Sequence, residues 1–186
     1  MSPELLSEWQ AHLAMEVSAA ATLLGLVFVA ASINLARIAS TPALPGRVLE
    51  SVVQFVQVLF ISMLMTIPRQ SSATLAIEVM AVSFLSWAIQ LVVFTRSHRA
   101  RLGNPRWWLI ARIVLAHLAI IPFLIFAGCL FFHPFNAFYW AVPGFFFSFV
   151  AGLMNSWVLL INVRLRVKYS RDFPEPGVVQ RGQVDR

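Results

Sequence analysis

Arg96-Ser97-His98-Arg99-Ala100-Arg101-Leu102-Gly103-Asn104-Pro105-Arg106 holds four arginines in eleven residues and lies between two long apolar runs. In a membrane protein such a segment stays on the side where the chain is made, because arginine beside an apolar helix is held back from crossing. With this loop in the cytoplasm, the rest of the chain falls on alternate sides. The apolar runs lie at about residues 14–36, 48–67, 75–94, 107–132 and 138–163. Each has about the 20 residues that a bilayer core requires. Their alternation puts 13 of the 14 Lys and Arg residues on the side of the loop and Arg69 alone on the other. That other side carries Glu4, Glu8, Glu16 and Glu78 instead. One span more or fewer scatters the charges. The expected fold is all-α: an integral membrane bundle of five transmembrane helices, N-terminus outside and C-terminus cytoplasmic.

Composition leads to the same class. Of 186 residues, 59% are apolar and only 12% charged, about half the charge of an ordinary globular chain. A soluble domain of this length cannot bury so much apolar surface. The net charge of +6 sits at helix ends rather than along a groove or an arm. It therefore points to anionic lipid headgroups at the cytoplasmic face and not to nucleic acid. Cys129 is the one cysteine, so no intrachain disulfide forms. Glu4, Glu8 and His12 precede the first run without any Lys or Arg, which is not the basic start of a cleavable signal peptide.

Three regions are expected. Residues 1–13 form a short outer helical lead-in, since Ser2-Pro3-Glu4 reads as a helix start. Residues 14–169 form the transmembrane domain, and residues 170–186, with Pro174, Pro176, Gly177 and Gly182, form a flexible cytoplasmic tail. Trp107 and Trp108 mark the inner interface, and Phe138, Tyr139 and Trp140 the outer one. Pro122 is expected to kink the fourth span. No internal repeat supports an inverted-repeat transporter.

Three sets of residues stand out. Gly144, Ser148, Gly152 and Ser156 recur every four positions on the fifth span, and Ser18, Ala21, Gly25 and Ser32 form a second stripe on the first. Small residues let helices approach closely where lipid gives no hydrophobic drive. Both stripes either pack the chain's own bundle or join subunits of a homo-oligomer. The second set is polar and deep: Gln54, Gln57, Ser86, Gln90, His117 and Asn155. Glu50, Gln54 and Gln57 share one face of the second span by their i, i+4, i+7 spacing. Such residues either hydrogen-bond between helices or line a polar cavity. His117 alone among them titrates near neutral pH in its free form. The third set, Asn34, Arg37, Arg47, Glu50 and Arg112, gathers at the cytoplasmic edge. Glu50 there can clip an arginine, or Arg112 can snorkel to the headgroups. At the outer edge Glu16 and Glu78 are the available partners for Arg69.

Gly25-Leu26-Val27-Phe28-Val29-Ala30-Ala31-Ser32-Ile33-Asn34-Leu35, then Leu44-Pro45-Gly46-Arg47 and Glu50, then Pro68-Arg69-Gln70, resembles a group of small bacterial multi-pass proteins. Some of these are labelled modulators of the FtsH protease. The likeness covers roughly the first 75 residues. The protease modulators of the BAX-inhibitor type have more spans and an acidic pair near the C-terminus, which this chain lacks. What the resemblance implies is a place in the bacterial inner (plasma) membrane, with no catalytic residue to carry over.

The expected function is non-enzymatic. No His-Glu-x-x-His, Gly-x-Ser-x-Gly or phosphate-cradling loop is present, so no catalytic residue, cofactor or metal is assigned. An enzyme using His117 as a base lacks a facing carboxylate. The preferred reading is a protein acting through helix–helix or lipid contacts, regulating a membrane partner. The alternative is an oligomeric channel or small-solute carrier with a polar inner half and a basic cytoplasmic mouth.

Overall fold

The computed structural model describes residues 3–41, 44–99, 106–132 and 134–172. No strand occurs among them. The helices are α1 (Pro3–Ile33), α2 (Leu35–Ser40), α3 (Leu44–Met65), α4 (Ser72–Arg99), α5 (Arg106–Phe132) and α6 (Pro134–Asp172). Five, all but the short α2, are long and apolar enough to cross a membrane. Leu26, Phe28, Phe84, Leu85, Ile110 and Phe146 stand exposed around them. Water does not tolerate so much apolar surface, and a bilayer does. The chain has the make-up of a multi-pass membrane protein.

The central helix is α3. It packs on α1, α4 and α6, and α5 completes the ring between α4 and α6. α1 lies outside the ring, against α3, and touches α6 only slightly. The two ends of the bundle differ. The basic end gathers Arg47 at the start of α3, Arg96 near the end of α4 and Arg106 at the start of α5. The far end holds the α3–α4 turn and the junction of α5 with α6.

Helix boundaries follow local chemistry. The first span ends at Ile33 rather than at residue 36, because Asn34 turns its side chain back to donate to Ala30 O at 2.8 Å. That bond competes with the backbone ladder, and a separate short helix follows. At the start of α3, Pro45 sits in the first turn, where a missing N–H costs nothing. Thr66 and Ile67 then tighten α3 by i→i−3 bonds before Pro68 stops it. Ser71 Oγ caps α4 by accepting the Thr74 N–H at 3.0 Å. Between them Arg69 takes φ +59°, a left-handed conformation that costs a non-glycine residue about 1–2 kcal/mol.

Other helix bounds also differ from those expected. The lead-in and the first span are one helix, since nothing between Pro3 and Ile33 breaks it. Arg96 and Arg99 lie on α4 rather than in a loop. The last helix runs to Asp172, beyond residue 169, where the tail was expected to begin. Residues 42–43, residues 100–105, His133 and residues 173–186 lie outside the described residues.

The far half of the bundle is a dry aromatic core. Phe123 and Phe126 of α5 meet Phe145 and Phe138 of α6 edge to face, with centroids 5.2 Å and 5.7 Å apart. These four rings, with Ile61, Met65, Leu75 and Val79, are fully buried. Gly144 makes room for the Phe123 ring: a Cβ there would fall 2.8 Å from it. Trp9 of α1 covers the cluster, 5.6 Å from Phe138 and 5.5 Å from Tyr139. The basic half is built differently and holds the site.

Candidate functional site: a polar cavity at the basic end

Along α3, Arg47, Glu50, Gln54 and Gln57 follow at steps of three and four residues and so share a face. All four are buried. Each meets a different environment, and together they grade from charged at the basic end to amide at mid-bundle.

Glu50 is gripped by Arg112 of α5. The Arg112 Nε donates to Glu50 Oε2 at 2.8 Å, and its Nη2 donates to Oε1. Both side chains are well shielded, at 14% and 7% exposure. In a low-dielectric setting a planar guanidinium matches a carboxylate through two parallel bonds. Arg112 therefore does not extend to the headgroups. Arg47 lies within electrostatic reach of both partners and is only 6% exposed. No hydrogen bond joins its guanidinium to a described residue, although the Glu50 carboxylate lies beside it.

One turn deeper, Gln54 Nε2 donates to Gln90 Oε1 of α4 at 3.2 Å. Gln54 Oε1 and Gln90 Nε2 remain buried without a partner among the described residues. Deeper still, Gln57 Nε2 donates to Ala119 O of α5 at 3.3 Å, and Ser148 Oγ of α6 donates to the same carbonyl at 3.3 Å. Pro122 lies three residues beyond this carbonyl. It lacks the N–H that would bond Leu118 O, and it loosens α5 at that turn. The neighbouring Ala119 carbonyl is met by side chains from two other helices.

A cavity of about 460 Å³ opens between the charged and amide levels. Its polar lining is Arg47, Glu50, Gln54, Gln90, Arg112, His117 and Asn155, drawn from α3, α4, α5 and α6. Two sets that the sequence keeps apart, the cytoplasmic-edge charges and the deep polar residues, are thus one site. Gln57 and Ser86 are buried but do not line it. His117 lines its exposed margin. Its Nδ1 lies 2.8 Å from Ile113 O, and since a carbonyl can only accept, Nδ1 carries the proton there. Asn34 bonds within α1, so it does not join the edge charges, and the Arg37 side chain lies outside the described residues.

The small-residue stripes separate. On α6, Gly144 faces Phe123, Ser148 bonds Ala119 O, and Gly152 faces Phe55. Ser156 Oγ lies 3.2 Å from Ser51 Oγ, and Ser51 Oγ also donates to Gly152 O at 3.1 Å. That stripe seats α6 on α3 and α5. The stripe on α1 does not pack within the chain. Ser18, Gly25 and Ser32 are exposed, and nothing approaches a Cβ on Gly25 within 4 Å. α1 instead turns the apolar side chains of Leu13, Ala20 and Val27 to the bundle.

The far-end pairing also differs from expectation. Arg69 is exposed and bonds neither acid. Glu78 accepts from Gln70 Nε2, and Glu16 sits 3.5 Å from His12, one turn away on its own helix. The i, i+4 spacing of His12 and Glu16 was the available signal for that pair. Trp87, Leu91 and Phe94 of α4, which form the apolar wall of the cavity, were also missed. The i, i+4 step from Gln90 to Phe94 and the i−3 step to Trp87 place them beside it.

Chemically, the site offers one cation in excess among the described groups: Arg47 and Arg112 against Glu50. It has no nucleophile beside a base, since Glu50 is held by Arg112 and His117 bonds a backbone carbonyl. No cluster of three metal-ligating side chains occurs among the described residues. No family model, curated protein or solved structure matches the chain.

Proposed function

We propose that this is a non-enzymatic protein of the bacterial inner membrane, N-terminus outside, that works by binding lipid or a membrane partner through its cytoplasmic half. The orientation is supported by charge: 13 of 14 Lys and Arg residues fall on one side of the five-span alternation. The observation that carries the binding role is that the polar lining of the cavity does not continue into the far half of the bundle. It reaches from the basic end toward the Gln57–Ala119–Ser148 layer, and beyond that layer the bundle is filled by Phe123, Phe126, Phe138 and Phe145. A polar lining that ends at mid-bundle suits a held ligand.

The second reading, an oligomeric channel or small-solute carrier, draws on the shared cavity of Gln54, Gln90, His117 and Asn155. Ion and solute flux through liposomes containing the purified protein separates the two. The binding role gives no flux above protein-free liposomes. Flux that drops on Gln54→Leu or His117→Leu overturns it in favour of a conduit.

A further inference from the structure

We infer that the cavity takes a single anionic amphiphile from the membrane, with its carboxylate or phosphate head on Arg47 and its acyl chain along the α4 wall. This rests on the binding role proposed above and names its ligand class.

Three observations carry it. First, Arg47 is a buried guanidinium lining the cavity, with no hydrogen bond to a described residue. Arg47 and Arg112 share the single Glu50 carboxylate, whose two oxygens Arg112 already bonds, so the cluster keeps one positive charge in excess. An anion arriving at that place offsets the excess. Gln90 Nε2 supplies a second unpartnered buried donor on the same lining.

Second, the remaining wall is apolar. Trp87, Leu91 and Phe94 of α4 face Leu115 and Leu118 of α5 across the cavity, and Met154 of α6 adds to it. The volume of about 460 Å³ falls within the range of roughly 300–1,000 Å³ usual for organic ligands. An inorganic anion alone leaves most of that space and all of that wall unused.

Third, the lining reaches the outside of the bundle. Trp87 is 40% exposed and Leu91 47%, on the stretch of α4 from Ile77 to Val92 whose exposed side chains are apolar. The cavity therefore opens sideways, toward acyl chains, as well as inward to Arg47. A head that needs a cation and a tail that needs hydrocarbon are both served by one entry.

The test uses the full chain in nanodiscs of zwitterionic lipid, with bound molecules counted by native mass spectrometry. Four probes are titrated: palmitate, phosphatidylglycerol, hexadecanol and inorganic phosphate. Retention of a single palmitate or phosphatidylglycerol is expected, and whichever is retained identifies a carboxylate or a phosphate head. Hexadecanol, which has the chain without the charge, and phosphate, which has the charge without the chain, should each bind at least about tenfold more weakly. Arg47→Gln should lose about tenfold and Arg47→Lys should recover part of it, since lysine keeps the charge without the fork. Trp87→Ala, at the exposed mouth, gives a second variant that does not depend on a buried charge, and it should weaken the amphiphile and leave phosphate unchanged. Equal binding of hexadecanol, or retention untouched by both Arg47→Gln and Trp87→Ala, overturns the inference. No retention by a protein that conducts nothing overturns this inference and leaves the binding role standing. Retention together with liposome flux sustains the site and overturns the role.

Discussion

Gly152 lies directly on the ring of Phe55: a Cβ on Gly152 would fall 2.6 Å from Phe55 Cε1 and Cζ. Phe55 is fully buried and leans on Phe149 at 6.2 Å, so its ring has little room to retreat. In an open helix Gly→Ala gains about 1 kcal/mol. Here the displaced ring costs about 1–3 kcal/mol, so Gly152→Ala should be net destabilising. Gly25→Ala, with no atom near its Cβ, should keep the propensity gain. Thermal unfolding of the two variants in one detergent checks this. Equal stability of the pair would mean that α6 does not seat on α3 through Gly152.

The Glu50–Arg112 pair should show an asymmetric response to truncation. Glu50→Leu leaves Arg47 and Arg112 close together with no carboxylate between them. Arg112→Leu leaves Glu50 with Arg47 still beside it. The first should cost about 3–5 kcal/mol, the usual toll of an orphaned buried charge, and the second clearly less. The double replacement should recover much of the loss. A denaturation cycle over the four proteins gives the coupling, and additive losses would contradict the pairing.

The shared Ala119 carbonyl gives a cooperative prediction. Gln57→Leu removes one donor but also a buried Oε1 that lacks a partner, so alone it should cost under about 1 kcal/mol. Ser148→Ala removes the other donor at similar cost. The double variant strips both side-chain donors from the carbonyl beside Pro122 and should lose more than the sum. Unfolding of the singles and the double measures this. Strict additivity would show that the two side chains do not serve one acceptor.

Much of this architecture is legible in the residues themselves. Apolar length gives five membrane-length helices, because the period hardly matters once every face is apolar. Rotation is what the sequence hides. In α1, small and large apolar residues occupy every face, so Ser18, Gly25 and Ser32 look as much like a packing seam as Gly144 and Gly152 do. Only the shapes of the neighbours decide: Phe55 and Phe123 need a gap on α6, and nothing needs one on α1. The spacing of Glu50, Gln54 and Gln57 marks the polar face of α3, yet not which helices meet it. That Arg47 joins the deep amides in one cavity depends on how α4 and α5 are turned. Likewise the ends of α1 and α4 shift by residues that bond locally, such as Asn34, or that tolerate helix despite their charge, such as Arg96 and Arg99.

Which end of the bundle faces the cytoplasm underlies every functional statement made above, and chemical labelling reads it directly. In a chain with Cys129→Ala, single cysteines at Ser71, beside the far-end turn, and at Ser97, in the arginine-rich segment, are treated in intact spheroplasts with a membrane-impermeant maleimide. Labelling of Ser71→Cys in intact spheroplasts, and of Ser97→Cys only after permeabilisation, is the expected result. Labelling of Ser97→Cys from the outside would reverse the bundle and contradict the account.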